Sequence, residues 1–276
     1  MKRSLVFLLL VCLSSVGFSQ AWEKLGVFDD YDPGLFGHYV SLNEYSPQNC
    51  PGFKEIYIQW TTDESVFIYE SIGSRGIFTG ELENVRVMLW EFDLALMQWR
   101  CVQDRTGVDL DRGQKGVAAA SNFPGVRDRS PTWTDHDNNL WLFSGAARSL
   151  GLGADYIDLW KFDTSTQLWT YVNGTLSDNG FSGNYEERGV PSPTAVPNRR
   201  PFGGSASPPP VALTFTDNNG DLVLFRGDGS NDLWRYNIAT NQWVWLVGED
   251  PIDGISFYDY TSPWHTSHDN LSLIHI

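Results

Sequence analysis

One phrase, written three times, constrains this chain more than anything else in it. Residues 89–99 read LWEFDLALMQW, 159–169 read LWKFDTSTQLW and 233–243 read LWRYNIATNQW. In each copy a Leu-Trp pair is followed two residues later by an aromatic (Phe92, Phe162, Tyr236), and seven residues beyond it stands a second Trp (Trp99, Trp169, Trp243). A spacing held through three copies marks a repeat architecture. A second register agrees with it. Pro51, Pro124 and Pro197 recur 73 residues apart, and Gly52 and Gly125 follow the first two. Thr-rich segments close on an acid at Asp63, Asp135 and Asp217, the last delayed by a Ser-Ala-Ser-Pro-Pro-Pro insertion. The period is therefore roughly 70 to 80 residues, with its variation in loop-like segments.

Each copy resolves into four short strands bounded by turn residues. The middle copy predicts Ser130–Asp135, Leu140–Phe143, Asp158–Asp163 and Leu168–Asn173. The third predicts Val211–Asp217, Leu222–Phe225, Asp232–Asn237 and Gln242–Val247, and the first Glu55–Asp63, Ser65–Tyr69, Arg86–Asp93 and Gln98–Val102. The second strands are apolar throughout, as strands covered on both faces are. The third strands alternate, with Trp160 and Phe162 on one face and Lys161 and Asp163 on the other. The aromatic load, including 12 Trp, suits a pleated surface. Repeated four-stranded antiparallel units read as blades of a β-propeller.

The linked elements NNLWLFSG…DLWKFDTSTQLWTYV and DLVLFRG…NDLWRYNIATNQWVWL resemble the kelch repeat of the galactose oxidase central domain type, from about residue 51 to 270. The resemblance implies an all-β, kelch-type propeller with three complete four-stranded blades at 54–103, 128–174 and 209–248 and an incomplete fourth at 256–276, an open arc or part of a larger ring. Kelch blades carry a double glycine after the second strand; here Ser144-Gly145 and Arg226-Gly227 stand in its place, and Glu70-Ser71 in the first copy. Ser262–Asn270 follows Ser130–Asn138, whereas the closing LSLIHI departs from the pattern and reads as non-native. The linker 20–53 offers Ala21–Gly26 as a ring-closing strand. Galactose oxidase itself uses copper held by tyrosines and histidines, with a cysteine cross-linked to a tyrosine. The five His of this chain do not fall into such a set, so no cofactor, metal or catalytic residue is expected.

Residues 1–19 have a basic start, an apolar run from Leu5 to Leu13 and a small-residue exit at Gly17 and Ser19, the pattern of a secretory signal peptide. Its removal takes Lys2 and Arg3 and makes the net charge of −15 more negative by two. Such acidity argues against nucleic acid as a partner, and no later apolar run is long enough for a membrane span. A secreted location makes Cys50 and Cys101 a candidate disulfide and Asn173, in Asn173-Gly174-Thr175, a candidate glycosylation site.

In a four-stranded meander the tight turns share one rim, while the longer connections Glu70–Val85, Gln103–Arg129, Ala146–Ile157 and Gly174–Pro209 share the other. Binding concentrates on loops carried by rigid scaffolds, so the long-connection rim is the candidate face. Arg127 and Arg200, 73 apart, stand there as candidate anion ligands, or as ties that bond linker carbonyls. Arg226 and Asp228 belong to an Arg-Gly-Asp tripeptide on the same rim. Asp217–Asp221 superficially suggests a calcium loop, but Asn219-Gly220 between strands is a hairpin signal. The sequence is compatible with two functions. One is a secreted binding or adhesion module for a protein or glycan; the alternative is part of a galactose-oxidase-like or other carbohydrate-active enzyme whose catalytic residues lie elsewhere.

Overall fold

The repeated phrase folds as a hairpin whose two aromatics face each other. The computed structural model describes residues 37–52, 58–75, 82–106, 113–127, 130–146, 155–175, 183–197, 212–226 and 232–248. Phe92 pairs directly with Trp99, Phe162 with Trp169 and Tyr236 with Trp243. The ring centroids lie 5.0 Å apart in every case. Aromatic pairs opposite one another on an antiparallel ladder hold its register. The residues between them end one strand and turn into the next. Asp93 accepts from the backbone N–H of Ala95 and Leu96, Asp163 from Ser165 and Thr166, and Asn237 from Thr240. These side-chain-closed turns leave Met97, Gln167 and Asn241 in the left-handed region, at φ 56°, 58° and 61°.

Among the described residues the chain is all-β, in three antiparallel meanders. The first blade is β1 (Gln59–Thr61), β2 (Ser65–Arg75), β3 (Leu82–Asp93) and β4 (Gln98–Thr106). The second is β6 (Thr132–Thr134), β7 (Leu140–Ala146), β8 (Asp155–Asp163) and β9 (Leu168–Thr175), with β5 (Ala118–Ala119) added along β9. The third is β10 (Ala212–Thr216), β11 (Leu222–Arg226), β12 (Asp232–Asn237) and β13 (Gln242–Val247). Trp90, Trp160 and Trp234 all follow a register shift at the same step of β3, β8 and β12, and all three are fully buried.

The blades pack face to face with the second in the middle. Phe67, Tyr69, Val87 and Leu89 of the first blade meet Leu140, Leu142, Trp160 and Phe162 of the second. Trp133, Trp141, Phe143 and Leu159 meet Leu222, Leu224, Trp234 and Tyr236 of the third. Polar clamps border each apolar layer. Trp60 Nε1 donates to Trp141 O and Trp133 Nε1 to Val223 O, both at 2.7 Å. At the inner strands Thr134 Oγ1 donates to Thr61 O and Thr216 Oγ1 to Thr134 O, again at 2.7 Å. At the outer strands Gln103 Nε2 donates to Gln167 O (3.0 Å) and Asn173 Nδ2 to Asn241 O (3.2 Å). The described sheets form an open stack, not a closed ring.

Two features differ from the sequence-based expectation. First, the loop expected at Glu70–Val85 is mostly strand, because β2 and β3 stay paired out to Arg75 and Leu82. Second, the linkers are straps. Each crosses to the outer strand of the blade that follows it and runs along its edge: Ser46 bridges Trp99, Ala118 and Ala119 pair with Thr170 and Trp169, and Ser192 bridges Trp243. Asn49 and Asn122, 73 apart, each donate Nδ2 to the Trp99 or Trp169 carbonyl at 2.9 Å. An outer strand left bare would present unpaired backbone groups; the straps satisfy them. Where the kelch double glycine would stand, Ser144 and Gly145 both take positive φ, 59° and 113°. The backbone geometry survives the Ser because its hydroxyl donates to Tyr156 O at 2.6 Å. The expected signal segment 1–19, Ala21–Gly26 and the partial blade 256–276 lie outside the described residues.

Candidate functional site

The meander sets which connections share a rim. The turns at 62–64, 94–97, 135–139, 164–167, 217–221 and 238–241 are short and end on one side. Connections through 76–81, 147–154 and 227–231, and those between blades, end on the other. Residues 76–81, 147–154 and 227–231, and parts of the connections between blades, lie outside the described residues, so what the structure describes of this rim is mainly its footing.

That footing is a series of buried polar knots. Arg127, just before β6, is almost wholly buried. Its guanidinium meets the Asp158 carboxylate in a two-point contact, Nη1–Oδ1 at 2.9 Å and Nη2–Oδ2 at 3.1 Å. Nη1 also donates to Ser144 O at 2.9 Å, while Nε (3.1 Å) and Nη2 donate to Pro124 O. All five N–H donors of the group are thereby used. The ring of Tyr156 covers the charge, with Cζ 4.6 Å from the centroid. Burial would pull the Arg127 pKa down; the facing Asp158 outweighs it and the net direction is up. Tyr69 from the first blade joins by donating its hydroxyl to Gly125 O at 2.7 Å, and burial pushes its pKa up.

The first blade has its own knot near the same rim. Arg86 Nε donates to Asp104 Oδ1 at 2.7 Å, Nη2 closes on Oδ2, and Tyr39 of the strap donates to Oδ2 at 2.7 Å. Desolvation acts to raise the Asp104 pKa, but the hydrogen bonds from Arg86 and Tyr39 hold it below the usual carboxylate value. In the third blade the Tyr185 hydroxyl closes on the fully buried Asp232.

Several expected site residues therefore take other roles. Arg127 offers no donor to a ligand, because the linker carbonyl and Asp158 consume its hydrogen-bonding capacity; it is the tie, not the anion ligand. Asn173 is buried, its amide nitrogen donates to Asn241 O, and its oxygen accepts from Lys115 Nζ at 2.9 Å. In this fold the Asn173 side chain lies in the seam between the second and third blades. Cys50 and Cys101 are free thiols rather than a bridge. Cys101 Sγ donates to Gln103 O at 3.3 Å within β4 and packs with Ile68, Met88 and Trp90. Cys50 sits on the strap, exchanging backbone bonds with His38 at 2.9 Å. Burial pushes the Cys101 thiol up to about 12 and raises that of Cys50. Asp217 accepts from the N–H groups of Asn219 and Asp221, so it closes a hairpin turn. Arg200 and Asp228, and the side chain of Arg226, lie outside the described residues.

Asp158 is the key residue that sequence reasoning passed over. A signal for it existed: Asp158 and Asp232 each stand directly before a Leu-Trp pair. Among the described residues no group of three or more His, Cys, Asp or Glu is placed to hold a metal ion, and no helix is long and apolar enough to cross a membrane.

No family model matches the chain, and no curated protein matches it. Among solved structures, it is similar to a fungal alcohol oxidase of the AA5 family in complex with copper, at 11% identity and a TM-score of 0.33. The likeness covers 65% of this chain, which spans 27% of the oxidase. Function is accordingly read from the residues of this chain.

Proposed function

We propose that this chain is a secreted, kelch-type propeller module that holds an extracellular protein or glycan on its long-connection rim. The observation carrying this reading is the contrast between the two rims. On one, every blade ends in short turns closed the same way by Asp93, Asp163 and Asn237. On the other, connections of unequal length stand on the rigid ties of Arg127–Asp158 and Arg86–Asp104. Variable loops on a fixed frame are the general arrangement for recognition. The acid excess, net charge −15, disfavours a polyanionic partner.

The test is a binding screen of the full chain, secreted from a eukaryotic host, against glycan arrays and a panel of cell-surface ectodomains. Hits are re-measured after replacing 147–154 or 176–182 with Gly-Ser sequence of equal length. The proposal expects at least one replacement to weaken binding by roughly ten-fold or more, an ordinary loss for removal of a central contact. Binding that survives both replacements but is lost on altering the turn at 94–97 would overturn it. Copper-dependent release of hydrogen peroxide from a primary alcohol would favour the enzymatic alternative.

A further inference from the structure

The straps share one plan, and the third departs from it at both ends. Asn43, Gly116 and Gly189, 73 apart, take positive φ of 62°, 78° and 80°. Each donates its N–H at 2.8 Å to the outer strand, to Cys101 O, Tyr171 O and Trp245 O. Past that point Asn49 and Asn122 fasten the first two straps to Trp99 O and Trp169 O. The residue at the same place in the third strap is Ala195, which has no amide to offer. At the other end Tyr39 and Tyr185 hold equivalent places, 146 apart, and meet Trp90 and Trp234 edge-on at 6.1 and 5.1 Å. Their hydroxyls differ in what they take. Tyr39 donates to Asp104, while Trp90 Nε1 has Glu70 as its own acceptor at 2.9 Å. In the second blade Trp160 Nε1 has Asp158, at 2.8 Å. Asp232 stands two residues before Trp234 as Asp158 does before Trp160, but it accepts from Tyr185 instead. Trp234 Nε1, wholly buried, has no acceptor among the described residues.

We propose that the third strap is a latch with two settings, in which Tyr185 and Trp234 compete for the Asp232 carboxylate. In the setting seen here Tyr185 holds Asp232. In the other, Asp232 accepts from Trp234 Nε1, as Asp158 does from Trp160, and Tyr185 leaves with the strap. A buried donor left unmade is costly, so the closed setting keeps the aromatic contacts of Tyr185 at the expense of the indole. The open setting satisfies the indole and gives those contacts up. Opposed terms of this kind are what a two-state element needs. The bonds then left between strap and outer strand are few: Gly189 N–H to Trp245 O at 2.8 Å, Ser192 N–H to Trp243 O at 3.2 Å and Arg188 Nη2 to Gly248 O at 2.7 Å. Asn184 and Val196 exchange backbone bonds at 2.9 and 3.1 Å, so the strap is a closed loop and moves as one piece. Its opening uncovers the rings of Trp234 and Trp245, against which Tyr185 now packs edge-on, both at 5.1 Å.

Indole N–H spectra of the full chain, carrying isotope-labelled tryptophan, test the competition. The Trp234 peak is expected upfield of the Trp160 peak in the unsubstituted protein. In Tyr185→Phe, which removes the competing hydroxyl and keeps the ring, it should move downfield towards the Trp160 position. A hydroxyl with a merely structural role would leave that peak unmoved. Backbone hydrogen exchange reads strap opening and needs no substitution: Ser192 should exchange several-fold faster than Ser46, its counterpart on the first strap, and faster still in Tyr185→Phe. A Trp234 peak that already lies with that of Trp160, or that stays in place in folded Tyr185→Phe, would overturn the proposal. So would a Ser192 amide that exchanges no faster than that of Ser46. None of these readouts involves a bound partner, so the proposed function stands or falls separately.

Discussion

Replacing Asp158 with Asn removes one charge with almost no change in volume, and the structure predicts a large loss of stability. Both side chains of the Arg127–Asp158 pair are 0% exposed. The amide would present an N–H to a guanidinium N–H where a carboxylate oxygen now accepts, so at least one bond is lost and a buried donor goes unmade. It would also leave the Arg127 charge without its counter-charge. Breaking a buried pair by changing one partner costs about 3–5 kcal/mol. For a chain of this size that lowers the melting temperature by roughly 10 °C. Asp158 Oδ2 also accepts from Trp160 Nε1 at 2.8 Å, which adds to the loss. The assay is urea and thermal unfolding followed by tryptophan fluorescence. The double variant Arg127→Met with Asp158→Leu should be less destabilised than Asp158→Asn, because an apolar pair strands no charge. A loss below about 1 kcal/mol for Asp158→Asn, under the range for a broken buried pair, would refute the reasoning. It would mean that the guanidinium reaches water or another anion.

Other expectations follow from single sites. Native alkylation with mass readout should label Cys50 before Cys101, since a thiol at about 12 is ionised to only about one part in ten thousand at pH 8; an intact mass with no free thiol would contradict the placement. The same shift carries a pH sign: folded Cys101 holds its proton above the ordinary thiol value of 9.0, so its contribution is complete below about pH 9 and is lost as pH rises towards about 12. Urea midpoints should therefore fall between about pH 8 and pH 10.5, and less so in Cys101→Ala. Gly174→Ala should destabilise by more than about 1 kcal/mol, because φ is +95° and an added Cβ would lie 2.0 Å from Ile157 O; an unchanged melt would refute the close approach. Secreted protein treated with a glycosidase should show no mass change assignable to Asn173, and a glycan there would contradict its burial between blades.

The sequence made the blades legible because their determinants are local. Phe162 and Trp169 face each other across one turn, so their spacing is the hairpin itself. The turns closed by Asp163 and Asn237 use residues within three positions of their partners. The straps were less visible. Asn122 bonds Trp169 O, 47 residues away, through a side chain no local pattern requires. Its one trace is the recurrence of Asn two residues before Pro51 and Pro124. For Arg127 the sequence left a ligand and a linker tie both open, because its partner Asp158 lies 31 residues on and burial is not written in a charged letter. Asn173 shows the same limit: the sequon is local, whereas its burial depends on the next blade docking against it.

A hydrogen-exchange footprint of the chain with its bound partner tests the central claim most directly. The expected result is slowed exchange in 76–81, 147–154 and 176–182, with the turns at 62–64, 94–97 and 164–167 unchanged. Protection confined to those turns would place recognition on the opposite rim and contradict it.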